Sequence, residues 1–130
     1  MNEISLESLL KRIGALPAFE GIKPLTVTSR NSVNETPLHV AAIWGEVEAI
    51  RLLVAAGADI NAAGEHGHTP LQEAAGQLKI EAVKVLLELG ADPSIKNDMG
   101  ETAEEIATVL CLWDIAKAIQ ERSRKNRPKA

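Results

Sequence analysis

Three places in this 130-residue chain hold residues able to do chemistry. The first is Glu65-His66-Gly67-His68. Imidazoles are common zinc ligands, but two of them flanking a turn glycine, with no third imidazole or thiol nearby in sequence, supply too few donors. We read His66 and His68 as contact residues and expect no metal. The second is Cys111, the only cysteine, so an intramolecular disulfide or a multi-cysteine metal site is excluded. It lies between Leu110 and Leu112 with no basic neighbour to activate it, and reads as buried filler. The third is the C-terminal stretch 122–130, which holds five basic and no acidic side chains. Such a stretch could neutralise phosphates of a nucleic acid or a membrane surface, but it has no aromatic residue on which bases could stack. A solvated helix end is the plainer reading. No nucleophile elbow, phosphate loop, paired catalytic carboxylates or metal motif occurs at working spacing. The expectation is a protein that is not an enzyme, with no cofactor and no small-molecule substrate.

Composition sets the frame in which these residues sit. The chain is long enough for one domain with a sizeable core. It is 45% hydrophobic and 25% charged, yet only 2% aromatic with no tyrosine. Alanine and leucine must therefore build the interior, which suits closely approaching helices. The net charge of −4 is unevenly placed: residues 1–121 carry nine basic against eighteen acidic side chains, so an acidic body precedes a basic tail. That body would repel a duplex, which makes nucleic acid an unfavoured partner. The N-terminus lacks the basic start and apolar run of a secretion signal, and no segment has the length to span a membrane. A cytoplasmic, monomeric protein is expected.

The positioning elements are legible because the sequence repeats. Thr36-Pro37-Leu38-His39 returns 33 residues later as Thr69-Pro70-Leu71-Gln72, Ala41-Ala42 as Ala74-Ala75, and Gly57-Ala58-Asp59 as Gly90-Ala91-Asp92. A third, worn copy starts at Gly100-Glu101-Thr102-Ala103. Asn34, Gly67 and Gly100 hold one register, and these residue types tolerate a positive φ, so a tight turn is predicted ahead of each threonine. Each threonine is then an N-cap, with proline at the first helical position of the first two copies, where its missing N–H costs nothing.

A 33-residue period carrying T-P-L-H-x-A-A and G-A-D resembles the ankyrin repeat. The resemblance covers roughly Ser32 to Gln120. It implies an all-α solenoid of stacked helix-turn-helix units joined by short β-hairpin loops, and protein binding without catalysis. The expected organisation is a capping helix and extended linker in 1–31, repeats in 32–63 and 64–96, a C-terminal capping repeat in 97–121 and the tail in 122–130. Ankyrin proteins usually bind through the hairpin tips and the end of the first helix of each repeat. Carried over by position, that surface is Val33, Glu35, Ile43 and Trp44, then Glu65, His66, His68 and Gln77, then Asp98, Met99 and Glu101. The carboxylates would steer a protein partner carrying a basic patch. Trp44 has the type of an interface hot spot, unless Ile43 and Trp44 pack under the N-terminal segment as core. The family also implies a structural hydrogen bond from His39 at the junction of hairpin and helix, which Gln72 could replace.

Within this plan Leu6, Leu9, Leu10 and Ile13 form the stripe of an amphipathic helix capped by Ser5 and ended by Gly14. Leu25 to Thr28 reads as extended, feeding the first hairpin. Glu104 replaces the leucine of the other copies and is expected to face water. Ile106, Val109, Leu110, Leu112, Trp113, Ile115 and Ile119 are expected to pack back on the second repeat, with fraying after Arg122. A lone binding module would act by occluding or bridging its target, as an inhibitor, for example an immunity protein against a toxin, or as an adaptor. The alternative is a nucleic-acid or membrane-surface accessory working through the tail.

Overall fold

The computed structural model describes residues 4–125, with side chains to residue 124, and the rest of the basic tail lies outside the described residues. Among the described residues there are seven α-helices and no β-strand. They are α1 (Leu6–Gly14), α2 (Pro37–Trp44), α3 (Val47–Ala55), α4 (Pro70–Gly76), α5 (Ile80–Glu88), α6 (Ala103–Val109) and α7 (Trp113–Lys125). The first helices of the units, α2, α4 and α6, pack side by side as an inner layer. The second helices, α3, α5 and α7, form an outer layer, and α1 closes the N-terminal end against α2 and α3.

Helices α1, α2, α4 and α6 start where a side chain satisfies an orphan N–H group of the first turn. Ser5 accepts from the Ser8 N–H at the start of α1. Thr36 and Thr69 each form a reciprocal capping box, with His39 and Gln72 as the returning partners. Thr102 accepts from the Glu105 N–H, but the Glu105 carboxylate takes the Thr102 hydroxyl rather than the backbone. Gly57 and Gly90, both at φ 102°, turn the chain after α3 and α5. The core is made of small and branched residues: Ala41, Ala42, Ala74, Ala75 and Ala107 let the inner helices approach, while Leu38, Ile50, Leu53, Leu71, Val83, Leu86 and Ile119 fill between the layers.

Several expectations are corrected. The short hairpin loops carry no β-strand among the described residues; each is closed across its base by a backbone bond of 2.8–3.0 Å, from the N–H of Asn31 to Glu35, of Gly64 to His68 and of Asn97 to Glu101, with a further bond inside the turn. Leu25 to Thr28 is not extended, because no strand lies beside it; the Ser29 hydroxyl accepts from the Thr26 N–H at 2.8 Å and folds it into a turn. The linker is anchored by a short 3-10 turn, Pro17–Phe19, that buries Phe19, the only phenylalanine. The third unit is split by a turn at Cys111, so Val109, Leu110 and Trp113 are not buried against the second repeat as core and are 74, 48 and 64% exposed. Cys111 is exposed, not filler. Helix α7 runs beyond Arg122 to Lys125, since Ile115, Ala116 and Ile119 bury its inner face. Glu104 is half-buried, with its carboxylate accepting from Gln120 at 2.6 Å.

Candidate functional site

The inner layer and its loops build one surface from three copies of the same parts. Each loop presents its tip in a left-handed turn, with Asn34, Gly67 and Gly100 at φ 69°, 74° and 77°. In the first and third loops an asparagine side chain holds the tip. Asn31 Oδ1 accepts from the N–H groups of Val33 and Glu35, and Asn97 Oδ1 from those of Met99 and Glu101. The second loop has Gly64 in this register, and a Cβ there would sit 2.7 Å from His39 Nε2. The glycine makes room for a tie between repeats.

That tie recurs one period on. His39 Nδ1 accepts from the Thr36 N–H, so the neutral ring carries its proton on Nε2 and donates it to the His68 carbonyl at 2.9 Å. Gln72 Nε2 donates to the carbonyls of Ile95 and Glu101, at 2.8 and 3.2 Å. The second and third loops are also joined directly, by the Asp98 N–H donating to the His66 carbonyl at 3.0 Å. Burial lowers the His39 pKa, opposed by the bond to His68. A rigid frame of buried polar bonds thus carries the exposed side chains.

The sequence-predicted residues fall on this frame in different states. Val33, Glu65, His66, Gln77, Asp98 and Met99 are exposed, Met99 by 80%. Glu35, His68 and Glu101 are half-buried. Ile43 and Trp44, at the end of α2, are also half-buried, and the Arg12 guanidinium of α1 lies 4.5 Å above the Trp44 ring while pairing with Glu46. Trp44 is therefore partly covered by the N-terminal helix and not freely presented.

Two groups escaped the sequence reading. Val109 and Leu110 end α6 in the register of Ile43 and Trp44, with Gly76 and Gln77 between them. Stepping 33 residues along from Gln77 would have found them. The other is Glu73, in the register of Val40 and Ile106. A carboxylate where both other copies are apolar was the available signal. Its Oε1 lies 3.0 Å from His68 Nδ1, and its side chain is 14% exposed. Burial pushes the Glu73 carboxyl above its usual range; His68 opposes this, while the carboxylates of Glu35 and Glu65 add to it. Electrostatically the surface is acidic across two repeats.

Among the described residues no group of three or more histidine, cysteine or acidic side chains is arranged to hold a metal ion. No helix among them is long and apolar enough to cross a membrane. No curated protein matches the chain. The family model described as ankyrin repeats (3 copies) matches residues 13–97, from within α1 to the loop ahead of α6. With that match and seven helices stacked in helix-turn-helix order, the chain belongs to the ankyrin-repeat family, whose members generally mediate protein–protein interaction and are typically not catalytic.

Proposed function

We propose that this chain is a non-catalytic module that binds a protein bearing a basic patch, through its loop tips and the ends of its inner helices. It acts by occlusion, as an inhibitor of the immunity type, or by bridging, as an adaptor. The observation that carries this reading is the row of carboxylates on the loops and inner helices, Glu35, Glu65, Glu73, Asp98 and Glu101, on neighbouring loops of which the second and third are joined by the Asp98 N–H donating to the His66 carbonyl. Like charges gathered on one face cost stability and are relieved by a cationic partner. The frame beneath them supports the same reading, since side chains held on buried, hydrogen-bonded loops lose little freedom on binding.

The test is paired capture from native extract. The charge-reversal variant E65K/D98K, altered at two exposed tips, is set against E81K/K84E on the outer face of α5. The expected result is one stoichiometric protein retained by the native chain and the outer-face variant and lost with E65K/D98K. Equal retention by all three would remove the inner surface from consideration.

A further inference from the structure

Between α4 and α6 the inner surface sinks into a depression of about 260 Å³. Gly76 opens it: a Cβ there would meet nothing within 4 Å, whereas the same register holds Ile43 in the first unit and Val109 in the third. The lining holds two carboxylates, Glu73 of α4 and Glu101 ahead of α6, and an apolar wall of Ile106, Val109 and Leu110 from the third unit. Glu73 gives Oε1 to His68, while its Oε2 has no hydrogen-bond partner among the described residues. No lysine or arginine is among the residues that line the depression.

We propose that this depression is the primary docking point of the partner, taking a lysine or arginine side chain against Glu73 and Glu101 and an adjacent aliphatic side chain against Val109 and Leu110. The occupant is a basic, leucine-rich segment of a protein. An acidic or purely apolar segment would leave the half-buried carboxylates facing uncompensated charge or dry surface. A cationic head restores to Glu73 the solvation that burial removes, and the apolar wall covers the methylene stem of that side chain. This assignment rests on the protein-binding reading and narrows it to the second and third units, away from Trp44, whose ring already carries Arg12.

The test is a nuclear magnetic resonance titration of the ¹⁵N-labelled protein with an acetylated peptide of about 12 residues, leucine and lysine at helical i, i+3/i+4 spacing. A second peptide has glutamate for every lysine. The basic peptide is expected to shift the amides of Gly76, Gln77, Val109 and Leu110 with saturation below about 1 mM, and the acidic one to shift none of them. Gly76→Leu, which fills the depression, is expected to weaken binding about tenfold or more, and Glu73→Gln about fivefold, with the thermal transition of each variant confirming its fold. Unchanged affinity in both variants, or no shift up to about 1 mM, overturns the proposal. Shifts centred on Val33 and Trp44 overturn it too, while leaving the protein-binding reading to the capture experiment.

Discussion

His39 of the first repeat donates from Nε2 to the carbonyl oxygen of His68 in the second, across 2.9 Å, and is fully buried in doing so. The bond joins the N-cap of α2 to the base of the next loop, so one side chain fixes both a helix start and the spacing of two binding loops. Gln72 does the same one period later. The conservative replacement is therefore written into the chain itself: His39→Gln is expected to cost under about 1 kcal/mol, whereas His39→Ala, which leaves the His68 carbonyl unpaired and a cavity behind, should cost about 2–4 kcal/mol. Chemical denaturation of the two variants measures the difference.

The same bond predicts a pH dependence. The folded-state pKa of His39 is lowered, chiefly by burial. Above the unfolded value of about 6.5 the ring is neutral in both states and contributes no pH dependence. As pH falls below about 6.5 toward the folded-state pKa, the unfolded chain takes up the proton first and stability is lost. Protonated Nδ1 would also face the Thr36 N–H instead of accepting from it. The midpoint of denaturation should fall on acidification below about pH 6.5, and His39→Gln should flatten that part of the curve.

Glu73 gives the opposite sign. Its folded-state pKa is raised, so ionising it in the fold costs stability; that cost is absent below the unfolded value, near 4.5, and fully present above the folded pKa. Glu73→Gln should be neutral to stabilising at pH 7 and lose that advantage toward pH 4, as read from denaturation midpoints. A destabilised variant at pH 7 would show that the contact with His68 outweighs the burial of charge.

Two glycines predict opposite outcomes for one substitution. Gly64→Ala drives a Cβ to 2.7 Å from His39 Nε2 and should cost about 1–3 kcal/mol. Gly76→Ala meets open space at the end of α4 and should gain about 0.5–1 kcal/mol by reducing the entropy of the unfolded chain. Thermal melts of the pair distinguish a glycine needed for contact from one that leaves a hollow.

Much of this was legible because the 33-residue spacing carries its own controls. The turn residues Asn34, Gly67 and Gly100 and the threonine caps are read in triplicate, and each copy corrects its neighbours. The failures came where type was weighed above register. Val109, Leu110 and Cys111 look like core by composition, yet they are one period beyond Gly76, Gln77 and Leu78, and Cys111 takes a φ of 59° as Gly45 and Leu78 take 73° and 64°. A residue at that register closes the inner helix and turns outward whatever its polarity. The linker offered no period at all, so the burial of Phe19 and the turn at Thr26–Ser29 depend on tertiary contacts that no local pattern encodes. Trp44 was visible as a hot-spot residue, but its cover, Arg12, lies 32 residues away on an element outside the repeat.

Amide hydrogen exchange of the protein with and without its captured partner tests the central claim most directly. The account predicts slowed exchange at residues 33–35, 65–68 and 98–101 and at the inner-helix ends 76–77 and 109–110, with α3, α5 and α7 unchanged on their outer faces. Slowing confined to the outer helices, with the loop tips exchanging as in the free protein, would contradict it.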